Sequence, residues 1–379
     1  MKALYYFGLI GLALFEIANV YFIMPMPGSQ QYDSVDLAYF LYSYRWVFRL
    51  VFALMIIAGA RAVFQGKRKW IPVVAALPVL FIVYMFNFSM TADHMFLQPK
   101  SLEFKSKNEN VLQDSSLVLS VSHGGLAKAY PIRLIQYHHQ VRDSIAGKPI
   151  MVTYCNVCRT GRVFEPLVDN KLEKFRLVGM DHFNAMFEDE TTGSWWRQAT
   201  GEAITGPLKG KALPEFESNQ LTLTQFFSLH PFGTVMQPDT HFKESYDTLA
   251  RFEKGKSKGS LTRTDTLSWK DKSWVVGIQH GKASKAYDWN ALKKLKIIND
   301  QINGTPIVIA LASDDQSFIA FERGTTEEFS IINDSLKSDA RSYDFAGRAP
   351  DGTRLKPVKT YQEFWHSWKQ FHPDTHVAK

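Results

Sequence analysis

Only two cysteines occur in 379 residues, Cys155 and Cys158. With no third thiol, any metal held there needs histidine for its remaining ligands. The chain also has no Gly-x-Ser-x-Gly elbow, no phosphate loop, no dinucleotide fingerprint and no His-Glu-x-x-His pair. Serine-based hydrolysis and nucleotide chemistry therefore find no support. A net charge of +7 invites an anionic partner, but the lysines and arginines are scattered. No basic helix or aromatic–glycine motif gathers them, so nucleic-acid binding is not expected. What remains is an ordinary globular composition, 45% hydrophobic and 21% charged, in a chain long enough for two or three folding units.

The first part, residues 1–92, reads as a membrane anchor. Apolar runs at about 4–24, 46–62 and 70–90 are each long enough to be read as a span. The first ends at Pro25-Met26-Pro27-Gly28 without a small-x-small cleavage site, so it reads as an uncleaved helix. Residues 61–69 carry Arg61, Lys67, Arg68 and Lys69 and no acid, whereas 25–44 holds Asp33 and Asp36. This asymmetry assigns the 61–69 loop to the cytoplasm and everything after Met90 to the outside. The expected location is the bacterial inner membrane, with the C-terminal part extracytoplasmic, where thiols meet oxidising conditions. Glu16 and Asn19 fall inside the first span, and a buried acid there calls for a partner. Arg49, entering from the same side, is the expected one, serving to pack the helices.

Beyond a linker, 93–113, the chain repeats itself. A gap-free shift lays residues 120–165 on 277–322 with twelve identities, among them His123-Gly124 on His280-Gly281 and Lys128-Ala129-Tyr130 on Lys285-Ala286-Tyr287. The expected fold is α+β, an internally duplicated domain of short strands and helices. Its first repeat spans 114–245, a linker 246–270, and its second repeat 271–379. Helical patches at 223–229 and 361–371 are each followed by His-Pro.

The duplication separates scaffold from site. Residues present in both copies, such as His123 and His280, are explained by the fold. Cys155 and Cys158 face Ala312 and Asp315, and His138 and His139 face Leu295 and Lys296, so these groups belong to the first copy alone. A turn and a strand follow Cys158, which puts the thiols at a hairpin tip rather than at the head of a helix. Three uses stay open. Cys155 and Cys158 with His138, His139 or His182 would hold zinc, or copper if Met180 joins them. In a redox version an exposed Cys155 attacks and Cys158 resolves, with Arg159 or a histidine favouring the thiolate. In the third, a fixed disulfide braces the hairpin. If the chain is an enzyme, an oxidoreductase or metal-dependent activity is implied. The segment 187–198 adds Asp189, Trp196 and Gln198 as lining for a pocket, against the plainer reading of tryptophans in a core. That pocket supports the rival function, a noncatalytic envelope module that binds a small molecule or a partner.

Taken together, Ala129-Tyr130-Pro131, His138 with Asp143, Thr153-Tyr154-Cys155-x-x-Cys158 and Asp189-x-x-Thr192-Gly193-Ser194-x-Trp196-x-Gln198-x-x-Gly201-Glu202 form one pattern. Gly206-Pro207-Leu208-x-Gly210 continues it. The pattern resembles the bacterial family labelled DUF3179, a domain of unknown function, over about 115–325. Where that family usually has Pro after the first cysteine, Gly after the second and Glu after the histidine, this chain has Asn156, Arg159 and His139. The resemblance implies that these motifs belong together and supplies no substrate.

Overall fold

The computed structural model describes residues 1–324, 327–339 and 341–378. Of the expected second repeat, Thr325, Thr326, Ala340 and Lys379 lie outside the described residues. The chain divides into two compact units.

The first unit comprises Met1–Leu97, Glu173–Arg197 and Glu202–Ala212. Three of its helices, Lys2–Tyr21, Arg45–Phe64 and Trp70–Ser89, are long and apolar enough to cross a membrane by length and composition. The first two pack closely because glycine removes the side chain at the contact. A Cβ on Gly59 would lie 2.4 Å from the Tyr5 nitrogen, and one on Gly8 would lie 3.0 Å from the Ile56 nitrogen. The expected pair forms. Arg49 grips Glu16 with two hydrogen bonds of 2.7 and 2.9 Å, and Asn87 from the third helix donates to the same carboxylate at 2.9 Å. One acid thus ties all three helices. The preceding loop contains an additional helix, Val35–Ser43. A four-stranded antiparallel sheet completes the unit, in the order Ala203–Thr205, Trp195–Arg197, Asn184–Asp189, Phe175–Asp181.

The second unit, Gln98–Leu172, Gln198–Gly201 and Leu213–Lys379, holds the duplicated α+β fold. Each repeat starts with a strand pair joined at a His-Gly turn, Leu117–His123 with Leu126–Pro131, and Trp274–His280 with Ala283–Asp288. Gly124 and Gly281 sit at φ +56° and +60°, the left-handed region that glycine enters at little cost. A seven-residue helix follows in each, Ile132–His138 and Trp289–Leu295. The copies start it by different chemistry: Pro131 presets the backbone, whereas the Asp288 carboxylate accepts from the Ala291 N–H at 3.0 Å. Each helix ends on a left-handed residue, His139 or Lys296, and runs into a three-stranded meander. The meanders are Gln140–Ile145, Lys148–Cys155, Thr160–Phe164 and Ile297–Ile302, Thr305–Leu311, Phe318–Glu322.

A further strand and helix then close each copy. In the first these are Ser218–Thr222 and Leu223–Leu229. In the second they are Thr360–Phe364 and Trp365–Phe371, so the patch expected to be helical throughout from 361 begins as strand. Pairing with Trp274–His280 explains the difference. Part of the segment expected as linker is also structured: Lys243–Glu253 is a helix that buries Tyr246 and Phe252. Neither repeat closes its core alone. One cluster joins Leu221 and Phe226 of the first to Val308 and Phe321 of the second.

The repeats dock reciprocally. The hairpin tip of the second places Ser317 and Asp314 on Thr222, the residue that caps the Leu223–Leu229 helix: the Thr222 N–H donates to Ser317 Oγ at 2.8 Å and its hydroxyl to Asp314 at 2.8 Å. The hairpin tip of the first meets the equivalent strand–helix junction of the second, where the Phe364 N–H donates to the Cys158 carbonyl at 3.0 Å. Both tips bridge the repeats. Only one of them is made with thiols.

Candidate functional site

Cys155 ends its strand opposite Thr160, and Cys158 lies inside the four-residue turn between them. No disulfide joins the two. Both side chains are fully buried. The expected exposed, attacking Cys155 is therefore not present: the second repeat covers the tip.

What surrounds the thiols comes mostly from that second repeat. The Ser367 hydroxyl, near Cys158, donates to Glu363 Oε2 at 3.0 Å. Lys272 sets its ammonium into the Cys-x-x-Cys turn, donating to the carbonyls of Val157 at 2.7 Å and Leu261 at 2.6 Å. It also lies 3.2 Å from His366 Nε2, which can accept only if that nitrogen is unprotonated. Burial, aided by the charges of Lys272 and Lys369, holds this imidazole at a pKa of about 3, in keeping with that role. Burial pushes the Cys158 thiol well above its ordinary value, and the neighbouring Cys155 adds to the rise; Ser367 and Lys272 pull the other way. Burial likewise lowers Lys272, against the attraction of both thiols. The arrangement is a dry dithiol in a turn that also holds a buried amine, a neutral imidazole and a hydroxyl, and the amine's charge attracts both thiols.

Arg159 does not serve the thiols. Its fully buried guanidinium lies 3.7 Å from the centre of the Trp274 ring, and its Nε donates to Gln362 at 2.9 Å. Below this layer the buried Arg162–Glu363 ion pair joins the two repeats, with Arg162 stacked 3.5 Å over Tyr361.

The expected metal set is not assembled. Among the described residues, no three His, Cys, Asp or Glu side chains are grouped so as to hold a metal ion. His138 turns Nε2 to the Tyr246 hydroxyl at 2.6 Å, and His139 turns Nδ1 to the Tyr154 carbonyl at 3.0 Å. Burial holds His139 near pKa 4, as befits a neutral ring fixed to backbone. In the first unit, His182 pairs with Asp181 at 2.6 Å and with Asp33 at 3.3 Å.

The expected pocket lining is corrected as well. Trp195 and Trp196 are buried and belong to packing. Within the first unit, Asp189 closes its own turn, accepting from Trp196 Nε1 at 2.9 Å, the Thr192 hydroxyl at 2.9 Å and the Ser194 N–H at 3.0 Å. A carboxylate so filled is a turn anchor rather than a ligand for substrate.

Gln198, in the second unit, clips the thiol hairpin. It donates to Thr153 Oγ1 at 3.0 Å and to the Thr160 carbonyl at 3.1 Å, and accepts from Thr160 Oγ1 at 2.7 Å. Gln198→Leu strands these buried groups and is expected to cost about 2–3 kcal/mol, read as a lower urea midpoint with unchanged m-value. A loss under 0.5 kcal/mol would contradict the clip.

Lys272, His366, Ser367 and Glu363 escape a reading centred on the first copy. Lys272 precedes the first strand of its repeat as Ser115 does in the other, and His366 stands where the first closing helix has Thr224. The same comparison of copies, run from second to first, singles them out.

A comparison with curated proteins found no match, and one with solved structures found none either. A family model described as "Protein of unknown function (DUF3179)" matches residues 98–375. That span covers the first repeat, all but the last four residues of the second and every residue around the thiols, and by it the chain belongs to the DUF3179 family.

Proposed function

We propose that the chain is an integral protein of a bacterial cytoplasmic membrane, held by its three apolar helices. Its duplicated domain works on the outer side as a thiol–disulfide couple. The basic 61–69 loop supports this orientation, and an oxidising envelope supplies disulfides to react with. The observation that carries the redox reading is the Lys272 ammonium on the Val157 carbonyl, inside the turn that bears both thiols. Unlike the buried Arg159, Lys272 is attracted electrostatically by both thiols, which favours a thiolate there. The partner class is a protein disulfide. One thiol of the pair gives up its proton and attacks a partner sulfur, releasing a partner thiolate that takes a proton. The second thiol then attacks the mixed disulfide, forming Cys155–Cys158 and releasing the second partner thiol. Two electrons and two protons leave the pair. Because both sulfurs are covered, exchange proceeds when the tip lifts from the 364–367 junction.

Lys272→Met removes the charge that stabilises the attacking thiolate. Oxidation of the reduced full chain by a small disulfide is expected to slow about tenfold, one pKa unit's worth, while Lys272→Arg stays within about threefold. Equal rates for the wild type and Lys272→Met would contradict the reading.

A further inference from the structure

Within the first unit, a cavity of about 380 Å³ opens at the end of the three apolar helices remote from the basic loop. Its walls are the last turn of the Lys2–Tyr21 helix, the start of the Arg45–Phe64 helix, the turn after Ser89 and the strand Phe175–Asp181. Asn19, Arg45 and Asp93 are among its polar lining residues. The side-chain oxygen of Asn19 is buried without a hydrogen-bond partner, in a residue only 8% exposed. A buried acceptor left so costs about 1–3 kcal/mol, and a ligand bearing N–H or O–H would relieve it. Arg45 stacks on Tyr42 at 3.9 Å and donates to the Tyr42 carbonyl at 2.6 Å; among the described residues no carboxylate pairs with it. Asp93, joined to Arg176 at 3.2 Å, retains an exposed carboxylate edge. Of the two cations in the walls, Arg176 is paired with Glu188 and Asp93, which leaves Arg45 for an anion, and an acceptor and an acid for a donor group.

A second cavity of about 530 Å³ shares Arg45 and Asn87 with the first. Its other walls are mainly apolar, Leu12, Trp46, Val83 and Phe88 among them. It runs along the helices, where an acyl chain would lie.

We infer that this composite site holds an ethanolamine phospholipid, its phosphate on Arg45, its ammonium on Asn19 and Asp93, and a chain in the apolar groove. The unpartnered oxygen makes the site selective, because a primary ammonium donates to it and a trimethylammonium cannot. The inference rests on the membrane-anchored part of the proposed function and is independent of its thiol part.

The test is native mass spectrometry of the full chain released from nanodiscs of phosphatidylethanolamine, phosphatidylcholine or phosphatidylglycerol with identical chains. Incorporation into nanodiscs reports the anchor; lipid retained on release reports the site. One phosphatidylethanolamine should be retained at least about fivefold more than either of the others, the worth of one hydrogen bond. Asn19→Leu should erase that preference over phosphatidylcholine, and Arg45→Gln should reduce retention of phosphatidylethanolamine about fivefold. Equal retention of the three lipids by the incorporated wild type would overturn the inference. So would an unchanged preference in both variants, or binding of soluble glycerophosphoethanolamine without retention of the lipid.

Discussion

Glu363→Ala should lower the stability of the duplicated domain by about 3–5 kcal/mol, the usual cost of leaving one buried charge without its partner. Arg162 and Glu363 show side-chain exposures of only 3% and 1%. Removing the acid leaves the guanidinium with the Tyr361 ring and the Gly161 carbonyl at 2.9 Å, neither of which carries a charge. The same substitution takes away the acceptor of Ser367, which lies near Cys158, so thiol accessibility should rise with the loss of stability. Replacing both partners by Met is expected to recover most of the loss, because no ion is then left in the dry layer. Urea unfolding of the full chain in detergent reads all three proteins. A single variant within 1 kcal/mol of the wild type would show that the pair is hydrated and does not lock the repeats.

Acid should unfold the domain early, and two histidines set the window. His139 and His366 are held neutral, at pKa values of about 4 and about 3 against an ordinary 6.5. Burial is the leading cause for both. In the unfolded chain each takes up a proton near pH 6.5, while in the folded chain it does not. The unfolded state then binds more protons, so stability falls as pH falls. Their contribution is complete above pH 6.5 and drains away as pH drops toward the folded values, by roughly 3 to 5 kcal/mol for each ring at the acid limit. About half of this lies above the range where ordinary carboxylates titrate, so histidines dominate the slope between pH 6.5 and about 5, with His230 and His372, also lowered by burial, adding to it. His139→Asn keeps a residue suited to the left-handed cap at φ +59° and should remove one proton from that slope. His366→Gln should remove a second. Stability flat over this interval would contradict neutral burial of the rings.

Much of this architecture is legible in the sequence. Three apolar runs mark the helices, the Glu16–Arg49 pair follows from the cost of an acid in a span, and twelve identities at a fixed shift expose the duplication. These signals are local or periodic. What escapes is tertiary. His138 and His139 look like ligands because they sit near a thiol pair in sequence, yet the helix end turns one toward Tyr246 and the other toward backbone. The paired tryptophans look like a pocket wall because indoles beside acids often are, yet Asp189 spends its oxygens on its own turn. Lys272, His366 and Ser367 gather at the Cys-x-x-Cys turn only because the first hairpin tip docks on the second repeat. That contact spans over a hundred residues, and no spacing rule reports it.

The central claim is that Cys155 and Cys158 form a working couple rather than a fixed brace. The direct measurement equilibrates the full chain in detergent across graded ratios of reduced to oxidised glutathione and of reduced to oxidised dithiothreitol. Acid quenching, alkylation and mass counting then give the fraction of dithiol. The account predicts a single two-electron transition inside the range these buffers span, with the population changing tenfold for about every 30 mV. A pair that stays dithiol at the most oxidising ratio, or disulfide at the most reducing one, would contradict it.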